Sequence, residues 1–117
     1  MKLKVEWTGN KHPYTRCMGN WVIIYNNTKL NIPKNKINEP MNTYKEYERW
    51  EFDKNKQIVW KKYKIGLKKN QWIEENKEWI EKMFDEQNYI IYTELLEELF
   101  EKINKEDFQP CSCGGCI

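Results

Sequence analysis

Asn70-Gln71-Trp72-Ile73-Glu74-Glu75-Asn76-Lys77-Glu78-Trp79-Ile80-Glu81-Lys82-Met83-Phe84 is where this chain changes its period. Trp72, Ile73, Asn76, Trp79, Ile80, Met83 and Phe84 recur at steps of three and four, which lays one apolar stripe along a helix. Asn70 is a good N-cap type, and Glu74 and Glu75 follow near the positive end of the helix dipole. Further on, Thr93 is placed to cap a second helix whose stripe is Leu95, Leu96, Leu99, Phe100 and Ile103. Tyr89-Ile90-Ile91-Tyr92, between the two, fits either a helical extension or a short edge strand.

Upstream of Asn70 the period is two. Leu3, Val5 and Trp7 alternate with Lys2, Lys4 and Glu6, the pattern of a half-buried strand. Trp21–Tyr25 is β-branched and aromatic; Asn26-Asn27 tolerates positive φ, so a tight turn returns the chain through a third strand over Lys29–Ile32. Pro33 to Asn42 reads as a surface loop. Tyr47–Phe52 alternates again, Asp53-Lys54-Asn55-Lys56 is turn chemistry, and Gln57–Tyr63 returns as the second half of another hairpin, ended by Gly66. At 117 residues the chain reads as a single domain, 1–117, strand-rich over 1–69 and helical over 70–104, with a tail over 105–117. Strands first and helices last predict an α+β fold, with an antiparallel sheet of about four to five strands covered by two helices.

The formal net charge of +2 conceals two opposed halves. Residues 1–69 carry 16 Lys and Arg against 6 Asp and Glu, whereas residues 70–117 carry 4 against 12. Such asymmetry gives a surface able to meet basic and acidic partners separately. No secretory signal, membrane-length apolar run or prenylation motif is visible, so the expected compartment is the cytoplasm.

Four cysteines in a reducing compartment point to metal or redox use before disulfides. Cys111, Cys113 and Cys116 lie within six residues, and Cys113-Gly114-Gly115-Cys116 allows two thiolates to reach one ion. Zinc prefers four tetrahedral ligands, and Cys17, in the turn-rich Thr8–Asn20 segment, completes the set. His12, the only histidine, is a substitute for Cys111 if that Cys-x-Cys step is too cramped. Free tail thiols, a redox-active Cys-Gly-Gly-Cys pair and an iron–sulfur cluster are the competing readings. Four thiolates would close the zinc shell, leaving no position for an activated water, so the ion would be structural and would staple the tail to the loop at Cys17.

Ser112-Cys113-Gly114-Gly115-Cys116-Ile117, together with Trp7-Thr8-Gly9, Cys17, Trp21, Trp50-Glu51-Phe52-Asp53 and the helix Trp72 to Trp79, resembles small phage- and prophage-encoded proteins of low-GC bacteria, zinc-binding anti-CRISPR inhibitors of Cas9 among them. The resemblance implies Cys17, Cys113 and Cys116 as metal ligands; Cys111 is added by spacing. It also implies a non-enzymatic inhibitor of a bacterial defence nuclease.

In that function, Glu74, Glu75, Glu78, Glu81, Asp85 and Glu86, then Glu94, Glu97, Glu98 and Glu101, form an acidic surface able to dock on the basic channel of a Cas effector such as Cas9 and block nucleic-acid loading. The basic first half departs from whole-surface mimicry of DNA. The alternative is a zinc-stabilised nucleic-acid-binding module. There the Lys- and aromatic-rich region 54–69, with Lys61, Lys62, Lys64, Lys68 and Lys69 beside Trp60 and Tyr63, mixes phosphate contact with base stacking. With one His and no Gly-rich phosphate loop or catalytic triad, the expectation is that the chain is not an enzyme. The oligomeric state is left open by the sequence.

Overall fold

The computed structural model describes residues 2–9 and 19–107. Its elements run β1 (Leu3–Trp7), β2 (Trp21–Tyr25), β3 (Thr28–Lys29), β4 (Lys45–Phe52), β5 (Ile58–Ile65), α1 (Lys69–Asp85) and α2 (Thr93–Glu106), an α+β fold. Every strand pair is antiparallel, but the five strands do not form one sheet: β1-β2-β3 make one and β4-β5 another.

The first sheet is the floor of the core. Leu3, Val5 and Trp7 are paired in register with Tyr25, Ile23 and Trp21, so all six side chains point to one face, where they are buried. Trp7 and Trp21 meet edge to face with ring centroids 5.5 Å apart, and Tyr25 meets Phe84 of α1 in the same way at 5.5 Å. The helix stripes close the core from the other side: Trp72, Ile80, Met83 and Phe84 from α1, and Leu95, Leu96, Leu99, Phe100 and Ile103 from α2. Asn76, the polar member of the α1 stripe, is buried, donates to the Trp72 carbonyl at 2.8 Å and accepts the Trp79 indole N–H at 2.8 Å.

Asn26 and Asn27 both take positive φ, 51° and 67°, the geometry that a two-residue hairpin demands. The strand that follows is shorter than its sequence suggests, Thr28–Lys29 in place of Lys29–Ile32, although Leu30 still donates to the Ile23 carbonyl at 2.8 Å and Leu30 and Ile32 are buried. Asn70 does not cap α1. The helix begins at Lys69, the N-cap position is Lys68, which makes no side-chain cap bond, and Trp72 donates its N–H to the Lys68 carbonyl at 2.8 Å. Thr93 is likewise the first residue of α2, with Tyr92 at the cap position. Tyr89–Tyr92 forms neither helix nor strand: Asn88, with φ 62°, ends the helical turn and the segment crosses extended to α2. Helix α2 runs through Glu106, so residues 105 and 106 belong to it and not to the tail.

Candidate docking site on a projecting arm

The backbones of β4 and β5 come close to each other and to that of no other strand or helix among the described residues. Eight residues at ~3.3 Å per residue make this hairpin an arm about 26 Å long. The described molecule measures 60 × 30 × 21 Å with a radius of gyration of 16.5 Å. A compact domain of this length would have about 13 Å, so the arm accounts for an elongated outline.

The root of the arm is tied to the body. The Asp107 carboxylate, at the end of α2 and buried, accepts the N–H groups of Met41 and Thr43 at 2.9 Å each, and the Thr43 hydroxyl at 2.6 Å. Met41 in turn offers its carbonyl to the Trp72 indole at 2.7 Å. Thr43 bridges Leu67, Tyr44 donates to the Leu67 carbonyl at 2.9 Å, and the Lys45 ammonium donates to the Asn104 carbonyl of α2. Gly66 has φ 85°, and a Cβ there would lie 2.1 Å from the Thr43 carbonyl oxygen, so a larger residue cannot make this close crossing.

Beyond the root the register sorts the side chains. Pairing Glu46 with Lys64, Glu48 with Lys62, Trp50 with Trp60 and Phe52 with Ile58 puts these eight on one face. The half nearest the body is charged, with Lys64–Glu46 and Lys62–Glu48 ion pairs at 4.0 Å each. The distal half is apolar and open: Trp50 is 54% exposed, Phe52 62%, Ile58 62% and Trp60 67%. Trp50 and Phe52 meet edge to face at 5.3 Å, so they form a cluster and not scattered residues. At the tip the Asp53 carboxylate accepts the N–H groups of Asn55 and Gln57 at 2.8 and 2.9 Å, fixing the turn that carries exposed Lys54 and Lys56.

With full areas of about 150–250 Å² per large side chain, these four exposures sum to on the order of 500 Å² of apolar surface. That matches the largest patch found on a typical monomer, ~300–600 Å², which is often functional. An isolated two-stranded hairpin is marginal in water, and here the aromatic cross-strand pairs that steady it are themselves left in solvent.

The sequence-derived basic residues lie on β5 (Lys61, Lys62, Lys64) and at the start of α1 (Lys68, Lys69). Lys61 pairs with Glu51 at 3.1 Å, Lys62 and Lys64 pair as above, Lys69 pairs with Glu97 at 3.0 Å, and Lys68 lies 5.4 Å from the centre of the Tyr44 ring. Contact with Glu97 holds the Lys69 ammonium above its ordinary pKa, and the Tyr44 hydroxyl, 2.6 Å from Glu46, holds that carboxyl below the usual carboxylate range. All five lysines are thus answered from within the chain, four by carboxylates and one by an aromatic ring.

Of the acidic candidates, Glu74, Glu75, Glu78 and Glu81 are exposed along α1, with Glu81 3.8 Å from Lys77. Glu94 is exposed at the start of α2, Glu97 and Glu101 face Lys69, and Glu98 lies 3.9 Å from Lys102.

Glu78, Glu81 and Asp85 line an open cleft of about 510 Å³, with Tyr89, Ile90 and Ile91 from the connection to α2. Ile90 is 86% exposed. A second cleft, of about 370 Å³, lies between β1 and α2. Cys17, Cys111, Cys113, Cys116 and His12 lie outside the described residues, and among the described residues no group of three or more His, Cys, Asp and Glu is placed to hold a metal. No helix among the described residues is long and apolar enough to cross a membrane.

A family model described as PM0253 matches residues 5–106. The chain is 31% identical over 112 residues to "Uncharacterized protein PM0253" of Pasteurella multocida strain Pm70, covering 96% of this chain and 89% of that protein. No solved structure matches.

Proposed function

We propose that this chain, which belongs to the PM0253 family, is a non-enzymatic protein-binding module that docks through the distal face of its β-arm. One observation carries this reading: Trp50, Phe52, Ile58 and Trp60 share one face of the distal half of a hairpin, each more than half exposed. Tryptophan and other aromatics on a rigid element are the side chains that dominate protein–protein hot spots. The pairing of the arm's lysines favours a protein over a nucleic-acid strand, since phosphate contact would have to displace Glu46, Glu48 and Glu51 from their partners.

The resemblance to anti-CRISPR inhibitors names a class of target, a defence nuclease such as Cas9, with zinc held by Cys17, Cys111, Cys113 and Cys116 as a structural element. In that form of the reading the arm, and not the helical glutamates, makes the principal contact. A cleavage assay with purified effector tests the target: inhibition lost on Trp60→Lys supports it, and undiminished cutting at large excess removes that effector.

The arm itself is tested in cells with a photo-crosslinking amino acid placed at Phe52 or, as control, at exposed Lys34 on the body. The expected outcome is a discrete protein adduct from position 52 and none from 34. Equal or absent adducts at both positions would overturn the docking role.

A further inference from the structure

The cleft beside α1 and the tip of the arm have matching chemistry. The tip offers an apolar cluster, Trp50, Phe52, Ile58 and Trp60, beside a turn in which exposed Lys54 and Lys56 outnumber the Asp53 carboxylate that holds it. The cleft is lined by Tyr89, Ile90 and Ile91 and by the carboxylate residues Glu78, Glu81 and Asp85, with Lys82 the one cation among its described lining residues. Ile90 is more exposed than any residue of the arm cluster, so both surfaces are apolar and uncovered.

We propose that the arm's partner is a second copy of this chain, each arm tip seating in the other copy's cleft between α1 and residues 89–91. The proposal rests on the reading of the arm as a docking surface and names its occupant. Reciprocal exchange closes the pair with two-fold symmetry, because each copy then presents one arm and one cleft. Each seated tip removes up to about 500 Å² of arm surface from water. Two such contacts cover both arm patches, about 1,000 Å², and the cleft surface besides, whereas two tips laid face to face cover the patches alone. Lys54 and Lys56 decide between these arrangements as well: tip on tip sets like charges together, and tip in cleft sets them against carboxylates.

Sedimentation of the purified full chain across the micromolar range tests this, with Phe52→Lys/Trp60→Lys as the arm variant and Ile90→Lys as the cleft variant. All three substitutions are at exposed positions, and circular dichroism checks that both variants fold. The native chain is expected to dimerise with concentration, and each variant alone to associate at least about tenfold more weakly, as loss of a hot spot requires.

An equal mixture of the two variants pairs more tightly than either alone, through the one contact in which the cleft variant's intact arm meets the arm variant's intact cleft. A cleft variant that dimerises like the native chain overturns the proposal in favour of tip-to-tip contact. A native chain that stays monomeric throughout overturns the second copy as occupant, while the adduct from position 52 in cells still reports separately on the arm.

Discussion

Removing the carboxylate of Asp107 should loosen the arm's root more than any other single change in a polar side chain. The group is buried and accepts three hydrogen bonds, from the Met41 and Thr43 amides and the Thr43 hydroxyl, at 2.9, 2.9 and 2.6 Å. A hydrogen bond to a charged acceptor contributes about 1.5–3 kcal/mol, and a buried donor left unmet costs about 1–3 kcal/mol. The three share one acceptor and are not additive, and water can enter at the end of α2, so Asp107→Ala should cost about 3–5 kcal/mol. Against a net stability of roughly 5–15 kcal/mol this is a large fraction. It corresponds to a fall in thermal midpoint of about 10–20 °C for a domain of this size.

Urea unfolding followed by tryptophan fluorescence gives the free energy, and amide hydrogen exchange locates the loss at Met41 and Thr43. Thr43→Val, which removes only the hydroxyl bond, should cost no more than about half as much. An Asp107→Ala protein within about 1 kcal/mol of the native chain, with the two amides still protected, would refute the clamp.

Gly66→Ala should destabilise the chain by about 2 kcal/mol or more in the same assay, because φ 85° and a Cβ 2.1 Å from the Thr43 oxygen both oppose it. Tyr44→Phe should move the Glu46 carboxyl back up toward its ordinary value, since the hydrogen bond from Tyr44 is the first cause of its depression and Lys64 a lesser one. A depressed carboxylate adds stability above its unfolded pKa that is lost as pH falls through the folded value, and carbon-detected NMR titration of Glu46 reads the shift. For zinc, metal analysis of the purified protein should return one ion per chain, absent from Cys113→Ser and Cys116→Ser, with a lowered melting temperature after chelation. A metal-free native protein, or an unchanged melt after complete chelation, would remove the thiolate site.

The core was legible because its signals are local and agree. In β1, β2, α1 and α2 the apolar period names the buried face, and Leu3, Trp21, Trp72 and Leu99 all lie where that period puts them. The arm's isolation was harder to see, since Tyr47–Phe52 alternates in the same way whether a neighbouring layer covers it or not. A signal was present in the register: Trp50 and Phe52 share their face with Glu46 and Glu48, and a face half carboxylate is no core face. Asn70 misled because a capping side chain contributes only about 1 kcal/mol. The entry of α1 is set instead by the crossing of Gly66 and Leu67 against Thr43. Asp107 carries no local signal, as its partners lie 64 and 66 residues away.

Fluorine NMR of the 5-fluorotryptophan-labelled chain tests the arm most directly, by comparing solvent isotope shifts in light and heavy water at low and high protein concentration. The account predicts large shifts for Trp50 and Trp60 in dilute solution, falling as the arm is covered at high concentration, while Trp7, Trp21 and Trp72 stay near zero at both. Small, concentration-independent shifts for Trp50 and Trp60 would mean that the hairpin lies against its own body, and would contradict the projecting arm.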